Sequence, residues 1–291
     1  MPPAVLRWTD WSADPLVLAA LAASAVGYIG IARRFPPRRR QPLAFWGGQL
    51  ALVVGLLSPL DAGAAYLFTL HMLQHMLLLL VAAALFALAV PPGLIGWAYG
   101  RPAVRRVLRA VWNPAPAFAL FTGALLAWHL PAAYDATLRI PWVHAAEHLS
   151  FVVTGLIFWG VIVSPAPALV RAPLGVRFAL LIGADVVNFV LGFALTFAGR
   201  PFYSAYTAVP RLWGLSPLDD LHLGGVLMWV MGQMMYLIPV LILLNVILWR
   251  DGGRDRLRLN PSAAGGSGLR DDATGERGRD DGTRPVSGML S

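Results

Sequence analysis

The sequence contains no cysteine and no lysine, and few of its residues carry a charge. Without cysteine, neither a disulfide nor a thiolate metal site is available, so the binding of a soft metal would depend on histidine and methionine. Only 13% of the 291 residues are charged, whereas 57% are hydrophobic. A single soluble core of this length could not bury so many apolar side chains. The composition therefore predicts a protein embedded in a lipid bilayer.

Seven apolar runs have about the length that crosses a bilayer, which takes about 20 residues. They occupy residues 15–32, 43–60, 67–90, 115–130, 143–163, 174–198 and 217–249. Asp10 and Asp14 precede the first run and an arginine cluster follows it, a pattern that argues against a cleaved signal peptide. We therefore predict an all-α, polytopic membrane protein of about seven transmembrane helices, which form one domain over residues 1–250.

The basic residues are all arginines, and they lie between the apolar runs rather than on one amphipathic face. Despite a net charge of +8, this arrangement argues against a nucleic-acid partner. Alternate connections contain Arg33, Arg34, Arg38, Arg39, Arg40, Arg101, Arg105, Arg106, Arg109, Arg171 and Arg177. The opposite side receives only Arg7, Arg139, Arg200 and Arg211. Because short cytoplasmic loops retain positive charge, we predict the N-terminus outside and the C-terminus in the cytoplasm.

The last segment, residues 251–291, differs from the rest in composition. It is rich in glycine, serine and alternating charges and has almost no aromatic residue. Such a segment cannot bury enough apolar surface to fold, so we predict a disordered cytoplasmic tail.

The histidines fall at the ends of the apolar runs that this orientation places outside. His71 and His75, and likewise His144 and His148, have the spacing His-x-x-x-His, which puts two imidazoles on one helix face, one turn apart. Such a pair can bind one metal ion, and neutral imidazole suits copper, zinc, iron or nickel. His129 closes the fourth run. We predict these five histidines as metal ligands; the alternative is that they form hydrogen bonds between helices.

Other candidate ligands are less certain. Met72 and Met76 are also four apart, and their thioethers would favour the cuprous ion. Their helix face is rotated by about 100° from that of the histidines, so contacts with lipid or core are the alternative. His222 lies in the second turn of the seventh run and is a further possible ligand.

Glu147 lies within the second histidine pair, and His144–His148 also matches the inverted zinc-peptidase pattern His-x-x-Glu-His. Such a peptidase requires a further acidic ligand, yet the only other glutamate is Glu276, in the predicted tail. We therefore do not expect an enzyme. Glu147 could instead orient a ligating imidazole or cap the start of its helix.

Asp185 and Asn188 lie three apart near the middle of the sixth run. A charge at that depth is costly unless it is paired or functional. The pair could relay protons or provide a polar step on a metal path, or it could form a hydrogen bond between helices.

The segment Phe68–Met76, FTLHMLQHM, resembles the signature of the CtaG family, multi-span bacterial assembly factors of caa-type cytochrome c oxidases. Three further segments support the resemblance, which covers about residues 8–249. They are His129-Leu130-Pro131 with Tyr134, His144–His148 followed by Phe151, and Gly224-Gly225 followed by Met228-Trp229. The chain departs from the family pattern at Asp220-Leu221, where Asp-Gln is expected, so a polar residue at 221 is absent.

The resemblance implies a role in maturing a respiratory oxidase in the bacterial cytoplasmic membrane, by helping to deliver copper to the centre built at the outer side. It implies oxidase subunits as partners and the five predicted histidines as ligands. Two other hypotheses remain. Histidines on neighbouring helices could supply both axial ligands of a haem in an electron-transfer protein, or Asp185 and Asn188 could serve a metal-ion transporter.

Overall fold

The computed structural model describes residues 5–163 and 172–259 of the chain, with side chains as far as Trp249. Within these ranges the secondary structure is helical, and no strand is present. The helices are α1 (Pro15–Arg34), α2 (Arg40–Leu57), α3 (Pro59–Ala64), α4 (Phe68–Ala89), α5 (Pro92–Tyr99), α6 (Pro102–Val111), α7 (Pro114–Trp128), α8 (Pro131–Arg139), α9 (Pro141–Val163), α10 (Leu174–Thr196), α11 (Ser204–Thr207) and α12 (Pro217–Trp249).

The chain divides into two units, Met1–Ile247 and Leu248–Ser291. The second unit begins with helical backbone that runs on to Leu259. Residues 260–291 of the predicted tail lie outside the described residues, and so does Arg171. The candidate site lies wholly within the first unit.

Five helices, α1, α4, α9, α10 and α12, are long and apolar enough to cross a membrane. A sixth span results if α6 and α7, which meet at a bend of 62°, are taken as one. The 18 residues of α2 are less apolar because they include Arg40, Gln41 and Gln49. The predicted all-helical fold is confirmed, whereas the count of seven spans and the orientation are not.

Most helices begin with a proline, whose missing N–H costs nothing at the first position of a helix. Side-chain caps add to this signal. Asp14 accepts a hydrogen bond from the backbone of α1, Ser58 from that of α3, and Ser216 from that of α12. The seven apolar runs therefore correspond to helices whose limits differ from the predicted ones by at most three residues, except at the end of the seventh, where helical backbone runs on to Leu259.

The core is formed by α4, α7, α9, α10 and α12. Phe121 of α7 stacks on Phe158 of α9 with ring centroids 4.2 Å apart. In contrast, α1 lies at the periphery, where Tyr28, stacked on Phe45 of α2 at 3.9 Å, is its one buried residue. Large apolar side chains on the outer faces of α1, α10 and α12 are exposed, as expected for contact with lipid.

Two glycines let α10 and α12 approach closely. A Cβ atom at Gly225 would lie 2.6 Å from the backbone nitrogen of Thr196, and one at Gly192 would lie 3.0 Å from the carbonyl oxygen of Gly225. Small residues at such crossings allow backbones to touch. The approach brings Asn188 of α10 within hydrogen-bonding distance of α12.

Each of the helices α4 and α12 contains a π-helical turn. These turns occupy Leu77–Ala82 in α4 and Leu227–Met231 in α12. Trp159 of α9 donates a hydrogen bond to the carbonyl oxygen of Leu79 at 3.0 Å, and Asn188 of α10 donates to that of Met228 at 2.8 Å. Neighbouring helices thus satisfy carbonyl groups of both turns. Single π turns inside α-helices are frequent at functional sites.

Candidate metal centre

Four buried side chains of α4 and α9 converge: His71, His75, Glu147 and His148, named here the His/Glu cluster. One possible ligand atom from each lies within 4.8 Å of the others. The Nε2 atoms of His71 and His75 lie 3.6 and 3.5 Å from the same Glu147 oxygen, Oε2. These separations are long for hydrogen bonds. They are close to about 3.4 Å, the separation of two ligands in a tetrahedral site with bonds of about 2.1 Å.

The helical spacing accounts for this convergence. His71 and His75 lie one turn apart on the same face of α4, with ring centroids 4.3 Å apart. Glu147 and His148 lie on the face of α9 that meets them. The ring of His144 lies 4.1 Å from that of His148 and 5.2 Å from that of His71, at the rim of the cluster. Because Glu147 is fully buried, it does not cap an exposed helix start.

The ligand atoms of the cluster have no hydrogen-bond partner among the described residues. They include Nε2 of His71 and His148, both ring nitrogens of His75 and both carboxylate oxygens of Glu147. A buried carboxylate without hydrogen bonds is costly, and buried polar atoms normally have partners. A bound cation would provide a partner for one atom of each of the four side chains at once. The donor set therefore fits a metal ion.

Tyr206, in the short helix α11, fixes the orientation of His71. Its hydroxyl donates to the carbonyl oxygen of Ala64 at 2.8 Å and lies 3.0 Å from Nδ1 of His71. Burial raises the pKa of the Tyr206 phenol well above its usual value, so the hydroxyl keeps its proton. Since that proton points to the carbonyl, His71 Nδ1 carries the hydrogen of the second bond, and Nε2 keeps a lone pair for the cluster. No spacing motif in the sequence marks Tyr206 as part of the site.

Replacing Tyr206 with phenylalanine is expected to lower the metal affinity of the cluster by about 10- to 100-fold, because His71 would lose the hydrogen bond that sets its tautomer and orientation. Metal titration of the purified variant measures this effect. The control is Tyr28→Phe, since the Tyr28 hydroxyl is distant from the cluster and has no partner in the described part of the chain. Equal affinities of the two variants would contradict the role assigned to Tyr206.

Asp220, near the start of α12, anchors the start of α4. Its carboxylate accepts hydrogen bonds from the backbone nitrogens of Phe68 and Thr69 at 2.7 and 3.0 Å, and from the Thr69 hydroxyl at 2.8 Å. The guanidinium of Arg211 lies 3.8 Å from the same carboxylate, which is fully buried. A side chain of α12 thus acts as a helix cap for α4 and fixes where that helix begins, three residues before His71.

His129, directly after α7, lies beside the cluster, with its ring centroid 6.4 Å from that of His75. Its Nδ1 is 2.7 Å from the carbonyl oxygen of Leu125, and its Nε2 is 3.3 Å from the sulfur of Met72. Met72 and Met76 are both buried in the protein core. These two methionines therefore do not contact lipid, and they lie in the core.

Besides His129, His144, Met72 and Met76, three more predicted site residues lie outside the His/Glu cluster. His222 donates a hydrogen bond through Nε2 to the carbonyl oxygen of Ala198 at 2.8 Å. Asn188 forms the hydrogen bond between helices that was one alternative, with the carbonyl of Met228. Asp185 is partly buried, and its Oδ1 atom has no partner within the described ranges.

Three curated mycobacterial proteins are similar to the chain. It is 28% identical over 281 residues to an uncharacterized protein of Mycobacterium bovis and to one of Mycobacterium tuberculosis, in each case over 88% of this chain and 41% of the relative. An uncharacterized protein of Mycobacterium leprae is 26% identical over 269 residues, which cover 85% of this chain and 40% of the relative. The chain thus spans less than half the length of these relatives. No solved structure matches it.

The comparison with protein families gives a match over most of the chain. Residues 22–250 match the family described as cytochrome c oxidase caa3 assembly factor, Caa3_CtaG. The matched region contains every residue of the His/Glu cluster together with Tyr206 and Asp220. The resemblance read from FTLHMLQHM is therefore confirmed, and the chain belongs to the family of cytochrome c oxidase caa3 assembly factors.

Proposed function

We propose that this protein binds copper ions and passes them to a caa3-type cytochrome c oxidase while that enzyme is assembled. The observation that carries the proposal is the His/Glu cluster, whose buried ligand atoms have no hydrogen-bond partner in the described residues. Family membership supports an oxidase as the partner. The role is to hold and release an ion, without making or breaking bonds in a substrate.

The charge of the cluster supports a monovalent ion. With neutral imidazoles, its four side chains carry the single negative charge of Glu147. A cuprous ion would make the site neutral, whereas a divalent ion would leave an excess positive charge where desolvation is expensive. Neutral imidazole is a good ligand of copper, and the thioether of Met72 nearby suits the cuprous form.

The arginine distribution supports an outer location for the site. Every histidine of the cluster lies at a helix end that this distribution assigns to the outer side of the bacterial cytoplasmic membrane. Copper would then be transferred to an oxidase subunit on that side. An outer position of the cluster is thus consistent with delivery of copper to the oxidase that the family helps to assemble.

A bare ion suits the cluster better than haem. Four possible ligand atoms converge within 4.8 Å of one another, whereas the iron of a haem has only two axial positions for protein ligands. A transporter would need a polar step near the middle of the bundle; there the amide of Asn188 is already bonded to the Met228 carbonyl, and Asp185 is not one of the residues that converge in the cluster. We therefore favour delivery of copper to the oxidase over haem binding or transport.

The test is the copper content of the oxidase in a strain that lacks the protein. We expect less copper per oxidase, with unchanged amounts of the oxidase subunits. The wild-type protein should restore the copper, and the double variant His71→Ala, His75→Ala should not. His222→Ala is the matched control, because His222 bonds to a backbone carbonyl outside the cluster. Full copper occupancy of the oxidase in the deletion strain would contradict the proposal.

A further inference from the structure

We propose a second metal site, centred on Met72 and His129, that takes a soft monovalent cation of the class of Cu(I). It lies beside the His/Glu cluster and differs from it in ligand chemistry. The identity of the cation rests on the proposed function, whereas the existence of the site rests on the contacts of these two side chains. We name it the thioether site.

The tautomer of His129 follows from its contacts. Nδ1 lies 2.7 Å from the carbonyl oxygen of Leu125, and a carbonyl can only accept a hydrogen bond. Nδ1 therefore carries the hydrogen of the neutral imidazole. The other nitrogen, Nε2, consequently presents a lone pair.

That lone pair faces the sulfur of Met72 at 3.3 Å. A thioether has no hydrogen to donate, so two lone-pair atoms face each other in a buried position, too close together for a water molecule to lie between them. Two ligands of one tetrahedral ion, with bonds of about 2.0 Å to nitrogen and about 2.3 Å to sulfur, would lie about 3.5 Å apart. The pair is thus spaced as ligands of one ion.

A small cavity adjoins this pair. Its volume is about 20 Å³, and Met72, Met76, Met228, His75 and His129 contribute to its lining. That volume holds about one water molecule or one ion. The lining offers thioether sulfur and imidazole nitrogen, its oxygen-bearing side chains are those of Asn188 and Tyr236, and among the described residues it includes no carboxylate. Such a set selects Cu(I) over Zn²⁺ and over harder cations.

His75 belongs to both sites. Its Nε2 atom lies 3.5 Å from Glu147 Oε2 in the His/Glu cluster. Its side chain also lines the cavity beside Met72 and His129. Both of its ring nitrogens are buried and lack a partner in the described part of the chain. An ion could therefore pass between the two sites by exchange of ligands at His75. The ion keeps its charge in this step, and no electron is transferred.

The experiment measures Cu(I) bound to the full-length protein in detergent without oxygen, together with X-ray absorption at the copper edge. We expect a second Cu(I) per chain with sulfur among its ligands. Met72→Leu should lose that ion and the sulfur signal, while binding of Zn²⁺ to the His/Glu cluster stays unchanged. The matched control is Met234→Leu, since Met234 is 57% exposed on α12. It should behave as the wild type, and a melting curve shows whether each variant is folded.

The result that overturns the second site is a sulfur signal of equal size in Met72→Leu and Met234→Leu, or a wild-type protein without sulfur-ligated copper. The variant Glu147→Gln separates the two proposals. It should lose the ion of the His/Glu cluster and keep the sulfur-ligated one. If sulfur-ligated copper is found although the oxidase of the deletion strain has its full copper, the thioether site stands and the proposed function fails.

Discussion

Replacement of Glu147 by glutamine should raise the melting temperature of the metal-free protein and remove the stabilisation that a metal bound in the His/Glu cluster gives. The wild-type carboxylate is buried without a hydrogen bond to the described residues. An amide carries no charge and can donate to Nε2 of His71 or His75, whose distances from Oε2 are 3.6 and 3.5 Å. Relief of an unsatisfied buried group stabilises by about 1–3 kcal/mol, and each kcal/mol shifts Tm by about 2–4 °C.

Thermal unfolding with and without Zn²⁺, which should bind the His/Glu cluster and not the thioether site, measures both effects in one series. The metal should raise Tm of the wild type and leave that of the variant unchanged, because a ligand stabilises only a protein that binds it. Asp61→Asn is the control, because Asp61 is a partly buried carboxylate that already accepts a hydrogen bond from Gln74 at 2.8 Å. It should not gain stability. A metal-free Glu147→Gln protein that melts below the wild type would show that the carboxylate is paired without metal.

Asp220→Ala is expected to destabilise the protein by about 3–5 kcal/mol, because it removes one partner of a buried charged group. The backbone nitrogens of Phe68 and Thr69 would be left without their acceptor, and Arg211 without its nearby carboxylate. The start of α4 would fray, so metal affinity at His71 should fall as well. Asp219→Ala, next in sequence but exposed, removes only a hydrogen bond with the Ser216 hydroxyl and a charge at the start of α12, and should cost no more than about 1 kcal/mol.

Chemical denaturation in mixed micelles gives the difference in unfolding free energy between the two aspartate variants, and a copper titration gives the affinity. The first measurement tests the cap on α4, and the second tests whether the cap affects the metal site. Equal stability of the variants would mean that α4 does not depend on its cap from α12. A destabilised Asp220→Ala protein with wild-type affinity would mean that the His/Glu cluster forms independently of the first turn of α4.

The helices and the histidine pairs could be predicted from the sequence because both depend on short-range patterns. Apolar runs bounded by proline give the helix limits, and the spacing of four residues puts His71 above His75 on one face. The number of membrane-spanning helices was harder to predict, because α2 contains polar residues and hydropathy does not show whether such residues have partners in the fold. Gln49 donates to Ser24 of α1 at 2.8 Å, and Gln41 to the carbonyl of Val90 at 2.7 Å.

The supporting residues could not be predicted, because their roles depend on contacts between distant parts of the chain. Tyr206 is 135 residues from His71, and Asp220 is 152 residues from Phe68. Nothing local distinguishes Tyr206 from other tyrosines. The sequence placed Glu147 beside a histidine pair but left open whether it orients an imidazole or caps its helix, and did not indicate it as a possible ligand, since that role depends on which helix faces α9.

The π turn of α4 sets the rotation, about the helix axis, between the side chains before the turn and those after it. Its hydrogen bonds close over one residue more than those of an α-helix, and one residue corresponds to about 100° of rotation about the axis. Before the turn, His71 and His75 face Glu147 of α9. After the turn, Ala83 packs against Gly155 of the same helix. In a regular α-helix of the same number of residues, one of these faces would point elsewhere. Deleting one leucine of the turn would therefore let α4 become a regular α-helix that keeps both contacts, whereas deleting one residue between His75 and Ala83 without loss of the π turn would swing the imidazoles away from Glu147 by about 100°.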